Sequence, residues 1–411
     1  MRYEPVIVLL VAVLAMLASS AVSAVEGTAC YVGTWAYGRA GNGAFNTSEH
    51  LNLDLCSHII YSFVGIRGDT GEVVSLDERL DYGAGTEETG GLRGFLNFTD
   101  LKKKNPNLRT SLAIGGWNEG SEKYSTVSND PVKRRKFIES TVSLLQEYNF
   151  DGFDLDWEYP NQRGGSPVDV ENFNTLIREF REEFDKHGYY LSAAVGASSN
   201  TADLSYHVPS LSKYLDRIFI MAYDLHGAWD PVTGIHAPLY RTSAYDNTAN
   251  QALAGLYVDT FVRGWLNRGA DPEKIGLGMP TYGKTFRLSD PNNHGVGAPI
   301  VPGTGGSAGP YTGESGTLGY NEYCEYKEKN GWTEVWDGEQ IGIYAYTTTD
   351  WIGLDNQKSL CIKAKYAKDL KLGTAMIWAA ETDDFRGVCG PTSHPLLSAI
   401  KDGLSSNPTL C

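Results

Sequence analysis

The stretch Phe150–Pro160 reads FDGFDLDWEYP, with carboxylates at Asp151, Asp154, Asp156 and Glu158. The last three are spaced by two. On a β-strand alternate side chains point to one side, so Asp154, Asp156 and Glu158 share a face, and Phe153, Leu155 and Trp157 share the other. Like charges at that spacing cannot all ionise, so at least one pKa rises and a proton is shared. Folding alone gains nothing from such an arrangement. A solvated acidic face does not fit, because Phe, Trp and Tyr are interleaved with the acids. A calcium loop needs a Gly-bearing turn with ligands spread over about twelve positions. The reading that remains is a general acid, Glu158, kept protonated near neutral pH by two aspartates behind it.

The same type of β-rich run recurs along the chain. The runs are Cys30–Trp35, His58–Val64, Arg109–Gly116, Gly152–Glu158, Tyr190–Gly196, Arg217–Asp224, Lys274–Tyr282 and Gly373–Ala380. Helical patterns lie between several of them. Pro131–Tyr148 starts at Asp130-Pro131 and places Phe137, Ile138, Val142 and Leu145 on one face. Val170–His187, Val258–Arg268 and Ser359–Leu370 read similarly, and Pro395–Leu404 predicts a last helix. Strands alternating with helices predict a (β/α)8 TIM barrel, with a doubly wound sheet as the alternative. In such a barrel the working face lies at the C-terminal ends of the strands, where Glu158 falls. One stretch breaks the rhythm. Gly283 to about Tyr346 is too long for a structureless connection and is rich in Tyr, Trp, Gly and Pro.

Met1 to about Ala24 reads as a secretory signal: Arg2, an apolar run from Val6 to Leu17, then Val22-Ser23-Ala24 as the cleavage site. The run has 12 residues. A bilayer span takes roughly 20. The expectation is an exported, extracellular protein. The net charge is −15, which disfavours nucleic acid and membrane surfaces as partners and suits a neutral substrate such as a sugar polymer. The cysteines are Cys30, Cys56, Cys324, Cys361, Cys389 and Cys411. An even count in an exported chain predicts three disulfides, and spacing alone does not choose among about 15 pairings. No CxxC or Cys/His cluster suggests a metal site. Asn46 (NTS) and Asn97 (NFT) are glycan acceptor triplets.

DGFDLDWEYP resembles the catalytic strand signature of the family-18 glycoside hydrolases, the chitinases, and the resemblance extends over nearly the whole chain after the signal. It implies a single catalytic barrel over 25–411 with a small α+β insertion at 283–346, and no separate chitin-binding module. It implies the pairings Cys30–Cys56 and Cys324–Cys389, which would leave Cys361–Cys411. It further implies hydrolysis of β-1,4-linked N-acetylglucosamine polymers by a retaining mechanism without metal or cofactor, in which the substrate's own 2-acetamido oxygen is the nucleophile. Glu158 would protonate the glycosidic oxygen. Asp156 would orient the acetamido group, Asp154 would share a proton with it, and Tyr223 would hydrogen-bond the acetamido carbonyl. Trp378 in AMIW would floor the site. Tyr31, Phe63, Gly116, Trp117, Tyr159, Met221, Asp224, Trp229 and Tyr282 would complete the substrate-binding set.

This sequence departs from the family pattern at a few positions. Lys284 replaces a usual arginine, so a bidentate contact there is lost. Thr233–Leu239 lacks a usual asparagine, and Glu119 replaces a usual aromatic. The expected partner is chitin or its oligosaccharides, acted on by a monomer. The competing readings are a chitinase-like lectin that binds without cutting, and an endo-β-N-acetylglucosaminidase acting on N-glycans. The intact acidic set favours an enzyme over a lectin, since site residues and not fold decide function. The aromatic set and the insertion favour chitin over N-glycans.

Overall fold

The strands of the computed structural model close on themselves. They are β1 (Thr28–Gly33), β2 (His58–Ile66), β3 (Arg109–Gly115), β4 (Gly152–Asp156), β5 (Tyr190–Gly196), β6 (Arg217–Met221), β7 (Ile275–Pro280) and β8 (Thr374–Trp378). The structure describes residues 26–83 and 91–411, so the signal expected at Met1–Ala24 lies outside the described residues. Each strand pairs in parallel with the next, and β1 pairs with both β2 and β8. The fold is a (β/α)8 barrel. Closure excludes the doubly wound alternative, which would leave two free edges.

The barrel interior is filled from alternate positions by Ala29, Tyr31, Ile60, Ala113, Ala194, Phe219 and Met376. The opposite faces pack on the helices. Phe153 of β4 lies 6.1 Å from Phe137 of α1 (Pro131–Tyr148) and 5.7 Å from Phe180 of α2 (Asp169–Phe184), ring to ring. Three more helices complete the set used below: α3 (Val258–Asn267), α4 (Gln357–Asp369) and α5 (Pro395–Leu404). The start of α1 is fixed by Asp130, whose carboxylate accepts from the amides of Val132 and Lys133, with Pro131 at the first turn. Asp130→Ala is expected to lower stability by about 1 kcal/mol, read as a shift in the urea midpoint with unchanged slope.

A second sheet lies between β7 and β8. Its antiparallel order is Thr317–Gly319, Tyr282–Arg287, Asp350–Leu354, Gly342–Tyr346, Thr333–Asp337, with the helix Tyr320–Lys329 following its shortest strand. The strand Asp350–Leu354 falls beyond the 283–346 segment. It pairs on one side with Gly342–Tyr346 and on the other with Tyr282–Arg287, so the sheet needs it. The disulfides are Cys30–Cys56, Cys324–Cys389 and Cys361–Cys411, the pairings that the resemblance implies. They tie β1 to the loop before β2, the inserted helix to the segment after β8, and α4 to the chain's last residue. Among the described residues no helix is long and apolar enough to cross a membrane.

Candidate active site

The acidic motif straddles the end of a strand. β4 stops at Asp156, so Glu158 stands in the following loop and not, as the period-two reading had it, on the strand itself. Asp151 is at the opposite end of β4. There it is paired with Lys102 at 2.8 Å and accepts the Thr110 amide at 2.8 Å, which makes it part of the scaffold. Asp154 points into the barrel and accepts from Tyr31 Oη at 2.7 Å and from Ser192 Oγ at 2.5 Å. Asp156 is buried, and its Oδ1 has no hydrogen-bond partner among the described residues. Glu158 is buried as well. The other face of the motif anchors it: Trp157 donates from Nε1 to Ser121 Oγ at 2.9 Å and meets the Phe173 ring at 5.9 Å.

Close backbone approach explains the glycine pair ahead of Trp117. The Gly116 amide donates to Asp156 O at 2.9 Å. A Cβ on Gly115 would lie 2.1 Å from that same oxygen, and one on Gly116 would meet the Phe63 ring at 2.6 Å. Both glycines also have positive φ, 114° and 82°, where a side chain is strained.

Burial is the main force on the protons here. It drives the Asp154 carboxyl up to about 6, against the opposing hydrogen bonds from Ser192 and Tyr31. Burial, then the neighbouring Glu158 and Asp154, push Asp156 well above the carboxylate range. Glu158 is raised to about 7, first by burial and further by Asp224, while Tyr159 and Arg163 pull it back. The two aspartates therefore act less directly on Glu158 than its charge spacing suggested. Loss of water around the carboxyl contributes most.

The remaining sequence-derived residues separate into two groups. Met221, Tyr223, Tyr282, Trp378 and Phe63 pack with the barrel-interior cluster at its C-terminal mouth. β6 ends at Met221, so Tyr223 and Asp224 follow it in a loop. Tyr223 is buried, with its ring 6.2 Å from that of Tyr282. Its hydroxyl is held well above its ordinary range, by burial first and by Asp156 next. Trp378 stacks on Phe63 at 5.6 Å and 23°. Trp117 and Trp229 stand at the rim, 58 % and 62 % exposed. Tyr31 and Tyr159 do not line an open surface in the same way. Tyr31 is 1 % exposed beneath Asp154, where it is a partner of the acid and not a platform. Tyr159 packs against the outer hydrophobic layer, and its carbonyl accepts from Ser121 Oγ at 3.0 Å.

Asp224 is the centre of a second charged group. Its side chain is 42 % exposed, but protein groups surround its inner edge. Tyr282 Oη donates to Oδ1 at 2.6 Å, and His236 Nδ1 and Lys284 Nζ each lie 3.3 Å from it. Crowding by protein atoms acts to raise its pKa, yet His236, Lys284 and Tyr282 outweigh this and hold it at about 2. Lys284 also sits 5.7 Å from the Trp229 ring, so the residue that replaces the usual arginine still bridges Asp224 and the rim.

Four residues went unassigned in the sequence reading. Ser192 was visible only as a polar inward position on the apolar strand Tyr190–Gly196. His236 lay inside a quoted segment without a role. It is buried, and its Nε2 is 3.0 Å from Tyr282 O. Trp35, 48 % exposed, extends the aromatic floor by stacking on Phe63 at 6.3 Å and 21°. Arg163 reaches back over Trp117 from the loop after the acid. A separate recess of about 890 Å³ lies outside the barrel between the inserted helix and the C-terminal segment, lined by Tyr320, Cys324, Lys358 and Pro391. It holds none of these groups.

The family model described as "Glycosyl hydrolases family 18" matches residues 27–383. The chain is 40% identical over 369 residues to "Probable chitinase 2" of Drosophila melanogaster, covering 88% of this chain and 72% of that protein. Among solved structures it is similar to the Ostrinia furnacalis Group IV chitinase in complex with allosamidin, with TM-score 0.84 and 43% identity over 91% of this chain and 97% of that one. It is also similar to human YKL-39, described as a pseudo-chitinase with retained chitooligosaccharide binding, with TM-score 0.81 and 33% identity over 92% and 99% of the two chains.

Proposed function

The chain belongs to glycosyl hydrolases family 18, and from that premise we propose that it is a secreted chitinase. It hydrolyses internal β-1,4 linkages of N-acetylglucosamine polymers with retention of configuration. The observation that carries the reading is Glu158, raised to about 7, standing beside an Asp156 carboxyl with an unpartnered oxygen. A protonated carboxyl at neutral pH can deliver its proton to a glycosidic oxygen. The acetamido oxygen of the sugar being cleaved then attacks its own C1, and the C1–O bond to the leaving sugar breaks. Asp156 stabilises the oxazolinium cation that forms, and Tyr223 holds the acetamido group in line. Glu158, now ionised, takes a proton from the water that opens the ring. Asp154 keeps the proton shared within the trio. The flat rings of Trp378 and Phe63 offer stacking surfaces to the pyranoses.

Incubation with N-acetylglucosamine hexamer, with products sized over time, tests this. Chitinase activity gives dimers to tetramers of retained anomeric form. The competing reading, an oligosaccharide-binding lectin, rests on the fold shared with YKL-39. It predicts binding with the hexamer left intact. Because Glu158 must carry its proton, the rate is expected to fall as pH rises through about 7. A pH profile of kcat/KM on the hexamer checks this. A rate that keeps rising past that point would remove Glu158 from the donor role.

The signal-like segment and the three disulfides support export to an oxidising compartment. Expression with the native leader, followed by N-terminal sequencing of the protein in the medium, tests that part.

A further inference from the structure

The loop after the acid is built around a carboxylate that takes no part in the chemistry. Asp169, fully buried at the start of α2, accepts from the amides of Asn161 at 3.2 Å and Ser166 at 2.7 Å, and from Ser125 Oγ at 2.6 Å. Gln162 Nε2 fastens the outer side of the loop to Ser205 Oγ at 2.8 Å. Asn161 and Arg163 both take left-handed backbone angles, with φ of 65° and 52°. Such angles are uncommon outside glycine and need the surroundings to hold them. Their effect is to turn the chain back so that Arg163 reaches the cleft rim.

There the guanidinium carbon of Arg163 lies 3.5 Å from the Trp117 ring centroid. Its Nη1 donates to Trp117 O at 2.9 Å and to Glu158 O at 3.0 Å. One side chain therefore covers a face of an exposed indole and joins that indole's backbone to the backbone of the acid. A surface cation–π contact alone is worth little, about 0.5–1 kcal/mol at exposed sites. Two backbone hydrogen bonds from the same group, delivered by a loop locked on a buried Asp, make it a fixed support.

We propose that Arg163 is a positioning residue: it backs Trp117 and holds the ring's open face toward the cleft, so that a sugar stacks on a surface already fixed in place. This rests on the chitinase reading given above. The planar guanidinium is suited to lie flat on the ring while donating sideways, which an ammonium cannot do as well.

The test uses the full chain, with Arg163→Ala, Arg163→Lys and Trp117→Phe variants. Acrylamide quenching of indole fluorescence needs no sugar. The difference between wild type and Trp117→Phe isolates the signal of ring 117. In Arg163→Ala that component should quench about twice as readily, because the covered face is opened. Affinity for N-acetylglucosamine hexamer, measured by calorimetry in a Glu158→Gln background, should weaken about three- to tenfold. At a pH well below 7, where Glu158 keeps its proton with or without the guanidinium, the kcat of Arg163→Ala with Glu158 intact should stay within about twofold of wild type, the pattern of lost binding and not of lost chemistry. Arg163→Lys should recover part of both losses. Wild-type quenching or wild-type affinity in Arg163→Ala overturns the proposal, and so does a fall in kcat with unchanged affinity. If the unsubstituted protein neither binds nor cuts the hexamer, the chitinase reading falls by itself, and the quenching result still decides whether Arg163 holds the ring.

Discussion

Glu158→Gln is expected to lower turnover of chitin oligosaccharides by about a hundredfold or more, as for loss of a general acid, with binding retained. Glutamine keeps the shape of the acid and cannot release a proton. The surroundings predict why binding survives: the aromatic floor of Trp378, Phe63 and Trp35 and the Asp224–Lys284–His236 group do not depend on that carboxyl. A second readout separates lost chemistry from damaged structure. The folded-state pKa of Glu158, about 7, lies above its ordinary value of 4.5. At neutral pH the unfolded chain carries this group ionised, and folding must protonate or desolvate it. Its presence therefore costs stability above its unfolded pKa. Glu158→Gln removes that cost, so its melting temperature should equal or exceed that of wild type near pH 7. A strongly lowered melting temperature, or turnover at the wild-type rate, would each defeat the assignment. Thermal melting, a timed product analysis and isothermal titration with the hexamer supply the stability, the turnover and the retained binding.

Asp156→Asn is expected to cut kcat by roughly 10²–10³, the range seen when one charge-stabilising contact is taken from a transition state. The side chain is buried between two other carboxyls, and its Oδ1 is unpartnered. An amide of the same size fills the space but has no carboxyl proton to pass to Asp154, and so cannot become negative beside a developing cation. The substitution leaves the alkaline side of the pH profile as a separate readout. That side should stay near 7, because burial and the Asp224 carboxylate, and not Asp156, are what raise Glu158. A normal kcat would mean that Asp156 is only filling the barrel mouth.

The barrel was legible because its strands repeat one simple pattern. Runs such as His58–Val64 and Arg217–Asp224 are short and rich in β-branched or aromatic residues. Helix starts were equally plain where chemistry marks them: the Asp130-Pro131 pair locates α1 to the residue. Sequence period fails where strands end. Glu158, Tyr223 and Asp224 continue the alternation on paper but stand in loops whose course depends on distant partners. Asp224 shows this, held by His236, Tyr282 and Lys284 from separate parts of the chain. Ser192 and Arg163 were invisible for a related reason. A serine in a strand and an arginine in a Gly-rich loop are ordinary residues until the fold brings an acid and an indole to them. The strand Asp350–Leu354 was missed because its pairing partners lie in the inserted sheet and not in the barrel.

The covalent links Cys324–Cys389 and Cys361–Cys411 have a bearing on endurance against proteases. Between them they overlap the whole tail of the chain. A protease that nicks the exposed turn around Gly390–Thr392 would release nothing, since the piece beyond the nick remains chained to α4 through Cys411. Damage of that kind would leave a molecule heavier only by the water added at the cut, and only cleavage combined with a reductant would free the fragment carrying α5.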